Sequence, residues 1–85
     1  VNYTVTWTPG AEQELAAVWL AAADRAAVTA ASNRLDQELA DDPFGIGLPR
    51  TASVNRTAVE PPLGIDYEIV EDDKKVRVLR AWAVL

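Results

Sequence analysis

The chain has 85 residues, 49% hydrophobic and 25% charged, with no cysteine, histidine or methionine. One small globular domain spanning 1–85 is predicted, at the lower end of what folds without disulfides or metals. Disulfides, thiolate nucleophiles, Cys/His zinc sites and imidazole acid–base chemistry are excluded outright.

The net charge of −5 is unevenly spread. Residues 1–42 carry seven acids against Arg25 and Arg34, whereas residues 43–85 carry six acids and six bases. A nucleic-acid binder shows a basic stripe, because phosphate contacts dominate its affinity. This balance argues against general nucleic-acid binding. The opening VNYTVTWTPG alternates rather than forming the apolar block of a signal peptide. The stretch Leu15 to Ala23 is mostly alanine and too short to cross a bilayer. A cytoplasmic protein without membrane contact, metal or cofactor is expected.

Tyr3, Val5 and Trp7 alternate with Asn2, Thr4 and Thr6, which predicts a half-buried strand over Val1–Trp7. Thr8-Pro9 then offers an N-cap followed by proline at the first helical position, with Glu12 and Glu14 near the positive helix end. Ala11, Leu15, Val18, Trp19 and Ala22 form an apolar stripe at helical spacing. Ten of the 21 residues from Ala11 to Ala31 are alanine. Such small side chains predict two closely packed antiparallel helices, hinged at Ala23-Asp24, with Asp24 as the second N-cap. Ala27/Val28, Ala31, Leu35 and Leu39 make one face of the second helix, which runs to Ala40.

Asp41 to Pro49 reads as a connector. Its glycines, Gly45 and Gly47, precede neither GK[ST] nor a helix, so a structural turn is expected rather than a phosphate cradle. Asn55 to Glu60 predicts a short strand broken by Pro61-Pro62. Ile65, Tyr67 and Ile69 predict a second strand with one dry face, where Tyr67 would be a core tyrosine with a tethered hydroxyl. Glu71 to Lys74 is a hairpin turn, and its acids read as a solvated turn rather than a metal site. Val76 to Leu85 is the last and longest strand, placed centrally by its length. The result is an α+β domain, β-α-α-β-β-β, with a mostly antiparallel sheet and a helical hairpin on one face. Trp7, Trp19 and Val78 are expected to lie mostly buried between helices and sheet.

Several segments together resemble the RelE/ParE family of bacterial toxins. Tyr3-Thr4-Val5-Thr6-Trp7-Thr8 with Ala11, Glu14 and Leu15 is similar to the family's first strand and helix start. Leu39, Asp42-Pro43, Gly47 and Leu48 are similar to its loop after the second helix. Ile65 to Val70, an acidic turn, and Val76-Arg77-Val78-Leu79 are similar to its paired C-terminal strands. The resemblance implies the toxin of a type II toxin–antitoxin, or plasmid-stabilisation, module, neutralised by a small cognate antitoxin. RelE-like members cut mRNA on the ribosome, whereas ParE-like members inhibit DNA gyrase without nuclease chemistry.

RNA cleavage without a metal needs 2′-hydroxyl activation, charge stabilisation and a proton donor. RelE-like enzymes supply these from sheet arginines and lysines and a late tyrosine or histidine. Where the family has an arginine three residues before the strand tyrosine, this chain has Gly64. Where another follows the last apolar run, it has Ala83-Val84. The late tyrosine or histidine has no counterpart in these 85 residues. A binding toxin of the ParE type is therefore favoured over an enzyme. The alternatives are a metal-independent mRNA endonuclease using Arg50, Arg56 and Arg80, or a family-fold protein that has lost toxicity.

Arg50 and Arg56 flank the polar segment TASVN and are expected to be exposed. Arg77 and Arg80 have opposite parity and share a face only if a bulge intervenes. Arg80 falls in step with Val76, Val78 and Trp82, either at the rim of an apolar face or in a functional role. Arg56, Arg77 and Arg80 are the expected antitoxin-binding residues, and self-association as a homodimer through the same patch is expected.

Overall fold

The computed structural model describes residues 2–84. In chain order it contains β1 (Thr4–Trp7), α1 (Pro9–Ala21), α2 (Arg25–Asp41), β2 (Leu48–Ala52), β3 (Asn55–Glu60), β4 (Leu63–Val70) and β5 (Lys75–Ala83). The strands form one sheet in the order β1-β5-β4-β3-β2. β1 pairs parallel to β5, and every other neighbour is antiparallel. The predicted α+β class and helical hairpin hold, with one strand more than expected.

Local chemistry sets the helix ends. The Thr8 hydroxyl accepts from the Ala11 N–H at 3.2 Å, and Pro9 opens α1. The Asp24 carboxylate accepts from the Ala27 N–H at 3.1 Å and starts α2. Each cap satisfies a donor that the first helical turn leaves unpaired. Arg25 closes the other end of α1, donating to the carbonyls of Trp19 and Leu20 while its guanidinium lies 4.7 Å from the Trp19 ring centre.

Both helices cover one face of the sheet. Ala11 of α1 and Ala31, Leu35 and Leu39 of α2 pack with Leu63, Ile65, Tyr67 and Ile69 of β4 and Val76 and Val78 of β5. Fully burying the leucine, isoleucine and valine side chains among these contributes about 1.5–3 kcal/mol each. The period-2 alternation of β4 turns Asp66 and Glu68 to the helix-free face.

Four expectations are corrected. β5, the longest strand, is next to the edge, and the shorter β4 is central, because β1 enters beside β5. Residues 48–52 form strand β2 rather than loop; its residues are all exposed, so no apolar alternation betrays it. The helices do not close on each other: an open groove of about 550 Å³ separates them. Trp19 lies on this groove at 39% exposure, and Trp7 is half-buried, whereas Val78 is fully buried. The helices therefore pack on the sheet more than on one another. Val1 and Leu85, the outer ends of the predicted first and last strands, lie outside the described residues.

Candidate functional site

Arg56 is the clearest departure from the sequence expectation. It is 8% exposed and faces the helix-covered side of β3, opposite Tyr67 in the register. Its Nε donates to the Ile46 carbonyl at 3.2 Å and its Nη1 to Ser53 at 3.2 Å. Its Nη2 donates to Phe44 at 3.2 Å and Gly47 at 3.1 Å. Four of the five guanidinium N–H groups are thus engaged, three with carbonyls of the segment after α2 and one with Ser53 between β2 and β3. Arg56 is therefore buried rather than exposed as the sequence suggested, and it fastens a loop.

Tyr67 completes this fastening. It is fully buried, and its hydroxyl lies 2.8 Å from the Pro43 carbonyl and 2.9 Å from that of Ile46. The tethered core tyrosine is as expected. Burial pushes its phenol pKa up; the neighbouring Arg56 opposes this, and the charge of Asp42 reinforces it. Gly47 adopts φ +69°, and a Cβ there would lie 2.6 Å from the Thr57 carbonyl oxygen. Only glycine meets both conditions. The Gly45 N–H is taken by the Asp42 carboxylate at 3.1 Å. The glycine-containing segment is a structural turn whose carbonyls at Pro43, Phe44, Ile46 and Gly47 are held by Arg56 and Tyr67.

The helix-free face carries the remaining sheet arginines. A register shift in the β4–β5 ladder pairs Asp66 with Arg80 and Glu68 with Arg77. Leu79 is the extra residue, so Arg77 and Arg80 come to the same face despite their parity. Arg77 lies 3.3 Å from Glu68. Arg50 lies 3.7 Å from Asp66, whose other oxygen accepts from the Thr57 hydroxyl at 2.6 Å. Arg80 reaches over the strand edge to Glu14 of α1 at 3.8 Å, while the second Glu14 oxygen accepts from the Ala81 N–H at 3.2 Å. β1 pairs only as far as Val78, so Glu14 takes a donor that a longer first strand would have used.

Gly64 has a local cause. The Trp82 indole lies across it, and a Cβ at this position would meet the indole nitrogen at 2.6 Å. An arginine there could not coexist with this placement of Trp82. Among Arg50, Arg56 and Arg80, the structure brings Arg50 and Arg80 to one face beside Asp66 and puts Arg56 on the other. Glu14, Asp66 and Glu68 are the carboxylate partners of Arg80, Arg50 and Arg77, and the sequence did not single them out for that role. The alternation of Asp66 and Glu68 with apolar neighbours marked them as outward-facing, but only the register reveals their arginine partners, and Glu14 meets Arg80 only through the packing of α1 on β5.

No protein-family model and no curated protein matches this sequence. Solved structures do match over nearly the whole chain. A chain of the RelBE2 toxin–antitoxin complex from Mycobacterium tuberculosis is 21% identical with a TM-score of 0.76, covering 98% of this chain and 99% of that one. A chain of the chromosomal ParDE toxin–antitoxin system from P. aeruginosa is 17% identical with a TM-score of 0.71, covering 98% and 97%. A conserved hypothetical protein from Helicobacter pylori is 14% identical with a TM-score of 0.59, covering 95% and 93%. The chain has the RelE/ParE-type fold. Among the described residues, no helix is long and apolar enough to cross a membrane.

Proposed function

We propose that this protein is the toxin of a type II toxin–antitoxin module in the cytoplasm, acting by binding, with DNA gyrase as the favoured target. The toxin role rests on the fold shared, nearly end to end, with chains of two toxin–antitoxin systems. The observation that carries the binding branch is at Gly64, where the Trp82 indole leaves no room for the arginine that RelE-like enzymes place there. Arg56 is spent on loop carbonyls, and Arg50, Arg77 and Arg80 each have a carboxylate within 4 Å. A metal-independent ribonuclease needs several cations poised toward the scissile phosphate, and burial removes Arg56 from such a set.

A cognate antitoxin would cover the helix-free face, where the Arg77 and Arg80 side chains are 51% and 69% exposed and Leu48 and Val59 are uncovered. Acids in the antitoxin would compete with Glu68 and Glu14 for these arginines. In its absence the same patch favours pairing of two copies. Expression in a bacterium should arrest growth and induce the DNA damage response without mRNA cleavage at the ribosomal A site. Cleavage that Arg50→Ala or Arg80→Ala abolishes would establish the endonuclease instead, and no arrest would indicate lost toxicity. Co-purification with the product of an adjacent small reading frame, weakened by Arg77→Glu plus Arg80→Glu, tests the partner and its site.

A further inference from the structure

The groove between α1 and α2 lies on the opposite side of the sheet from Arg50 and Arg77. It is about 550 Å³, within the range of true binding clefts, and is walled by Trp7, Leu15, Trp19 and Val28. Glu12 and Asp36 stand in the same wall, and none of its residues is cationic. The Trp7 indole N–H donates to Asp36 Oδ1 at 2.8 Å, which holds one ring and one carboxylate together. The chain's own Arg25, outside the groove, already stacks 4.7 Å from the Trp19 ring. The Trp19 ring thus already holds one guanidinium of the chain itself.

We infer that this groove docks an amphipathic helix of a partner protein, one that inserts apolar side chains together with a lysine or arginine between the two indoles and the two carboxylates. Three features of the molecule argue for that occupant. Two helices held apart on a sheet leave a trough shaped for a third helix, whose apolar face would fill it. Indole faces attract cations and also bury their apolar stems. Residues 1–42, which build the groove, carry the whole net charge of −5, so a basic segment is drawn in and an acidic one repelled. The inference does not depend on the toxin reading, because it concerns a separate surface.

The test uses the full chain at physiological salt with three probes. They are a 14-residue leucine/lysine amphipathic helix, its leucine/glutamate counterpart, and tetraethylammonium. Indole N–H resonances give the readout, since Trp82 lies on the helix-free face and serves as an internal control. The leucine/lysine helix should shift the Trp7 and Trp19 signals and leave Trp82 in place. Glu12→Gln plus Asp36→Asn keeps an acceptor for Trp7 but removes both charges, and should weaken binding about tenfold. Trp19→Ala should weaken it comparably while leaving the fold intact, because the side chain is partly exposed. Equal binding of the leucine/glutamate helix, shifts centred on Trp82, or undiminished affinity in the charge variant would overturn the inference. Tetraethylammonium producing the same shifts and displacing the helix would identify a small organic cation as the occupant instead, and no binding by any probe would refute the site.

Discussion

Arg56 and Arg77 lie on neighbouring regions of one sheet and are used in opposite ways. Arg56, on the helix-covered face, gives four hydrogen bonds to loop carbonyls and is nearly inaccessible. Arg77, on the open face, makes one 3.3 Å pair with Glu68 and leaves half of its side chain in water. The same residue type is thus a structural fastener on one face and an available charge on the other. Water decides the difference: a buried guanidinium must satisfy its donors within the protein, whereas an exposed one has solvent as an alternative.

The sharpest way to break this comparison is Arg56→Ala. It strands the carbonyls of Phe44 and Gly47, takes a donor from those of Ile46 and Ser53, and removes a buried side chain, so a loss of about 3 kcal/mol or more is expected in urea unfolding. For a domain this small, that is a large share of total stability. A variant melting within a degree or two of wild type would mean that Arg56 is not what holds the segment after α2. Next in size is Gly64→Ala, whose Cβ collides with the Trp82 indole unless that ring lifts. A cost of about 1–3 kcal/mol is expected, with a red-shifted tryptophan emission as the ring gains water.

Much of the fold was legible because its determinants are local. The Thr8 and Asp24 caps, the alternation of Ile65, Tyr67 and Ile69, and the turn chemistry around Gly47 all act within a few residues. β2 was hidden because its exposed residues, including Pro49, carry no apolar period. The open groove was hidden because alanine content speaks of how closely helices can approach, not of whether the sheet lets them. The candidate site was least legible of all. Arg56 sits in a polar stretch, TASVNR, that reads as surface, yet its strand parity with Ala58 turns it inward. Arg77 and Arg80 share a face only through the bulge at Leu79, which an apolar run of residues does not announce.

Tyr67→Phe sharpens the account of the covered face through pH. At neutral pH the lost hydroxyl should cost about 1 kcal/mol, because a donor to the Pro43 and Ile46 carbonyls disappears. Burial holds the folded phenol protonated to higher pH than in the unfolded chain. The folded state therefore binds more protons than the unfolded one above the ordinary tyrosine value of about 10. The stabilisation is whole below that value and is lost as pH rises through the folded-state pKa. Wild type should thus lose stability more steeply than Tyr67→Phe in alkaline unfolding curves. Parallel curves would show that the phenol contributes nothing to the alkaline limb.

The smallest effect belongs to the open face, and its smallness is the informative result. Arg77 and Glu68 are a cross-strand pair with side chains 51% and 30% exposed. Such pairs typically contribute about 0.2–1 kcal/mol, because solvent screens them and ordering two long side chains offsets the attraction. A double-mutant cycle on Arg77→Ala and Glu68→Ala should return a coupling of roughly 0.5 kcal/mol or less, shrinking further in added salt. If it does, an incoming carboxylate can capture Arg77 at little expense to the fold, which is the condition for an exchangeable binding face. A coupling above about 2 kcal/mol that persists in high salt would mean the pair is locked. Arg77 would then resemble Arg56 in role, and the open face would have to bind a partner through Leu48, Val59 and Arg80 without it.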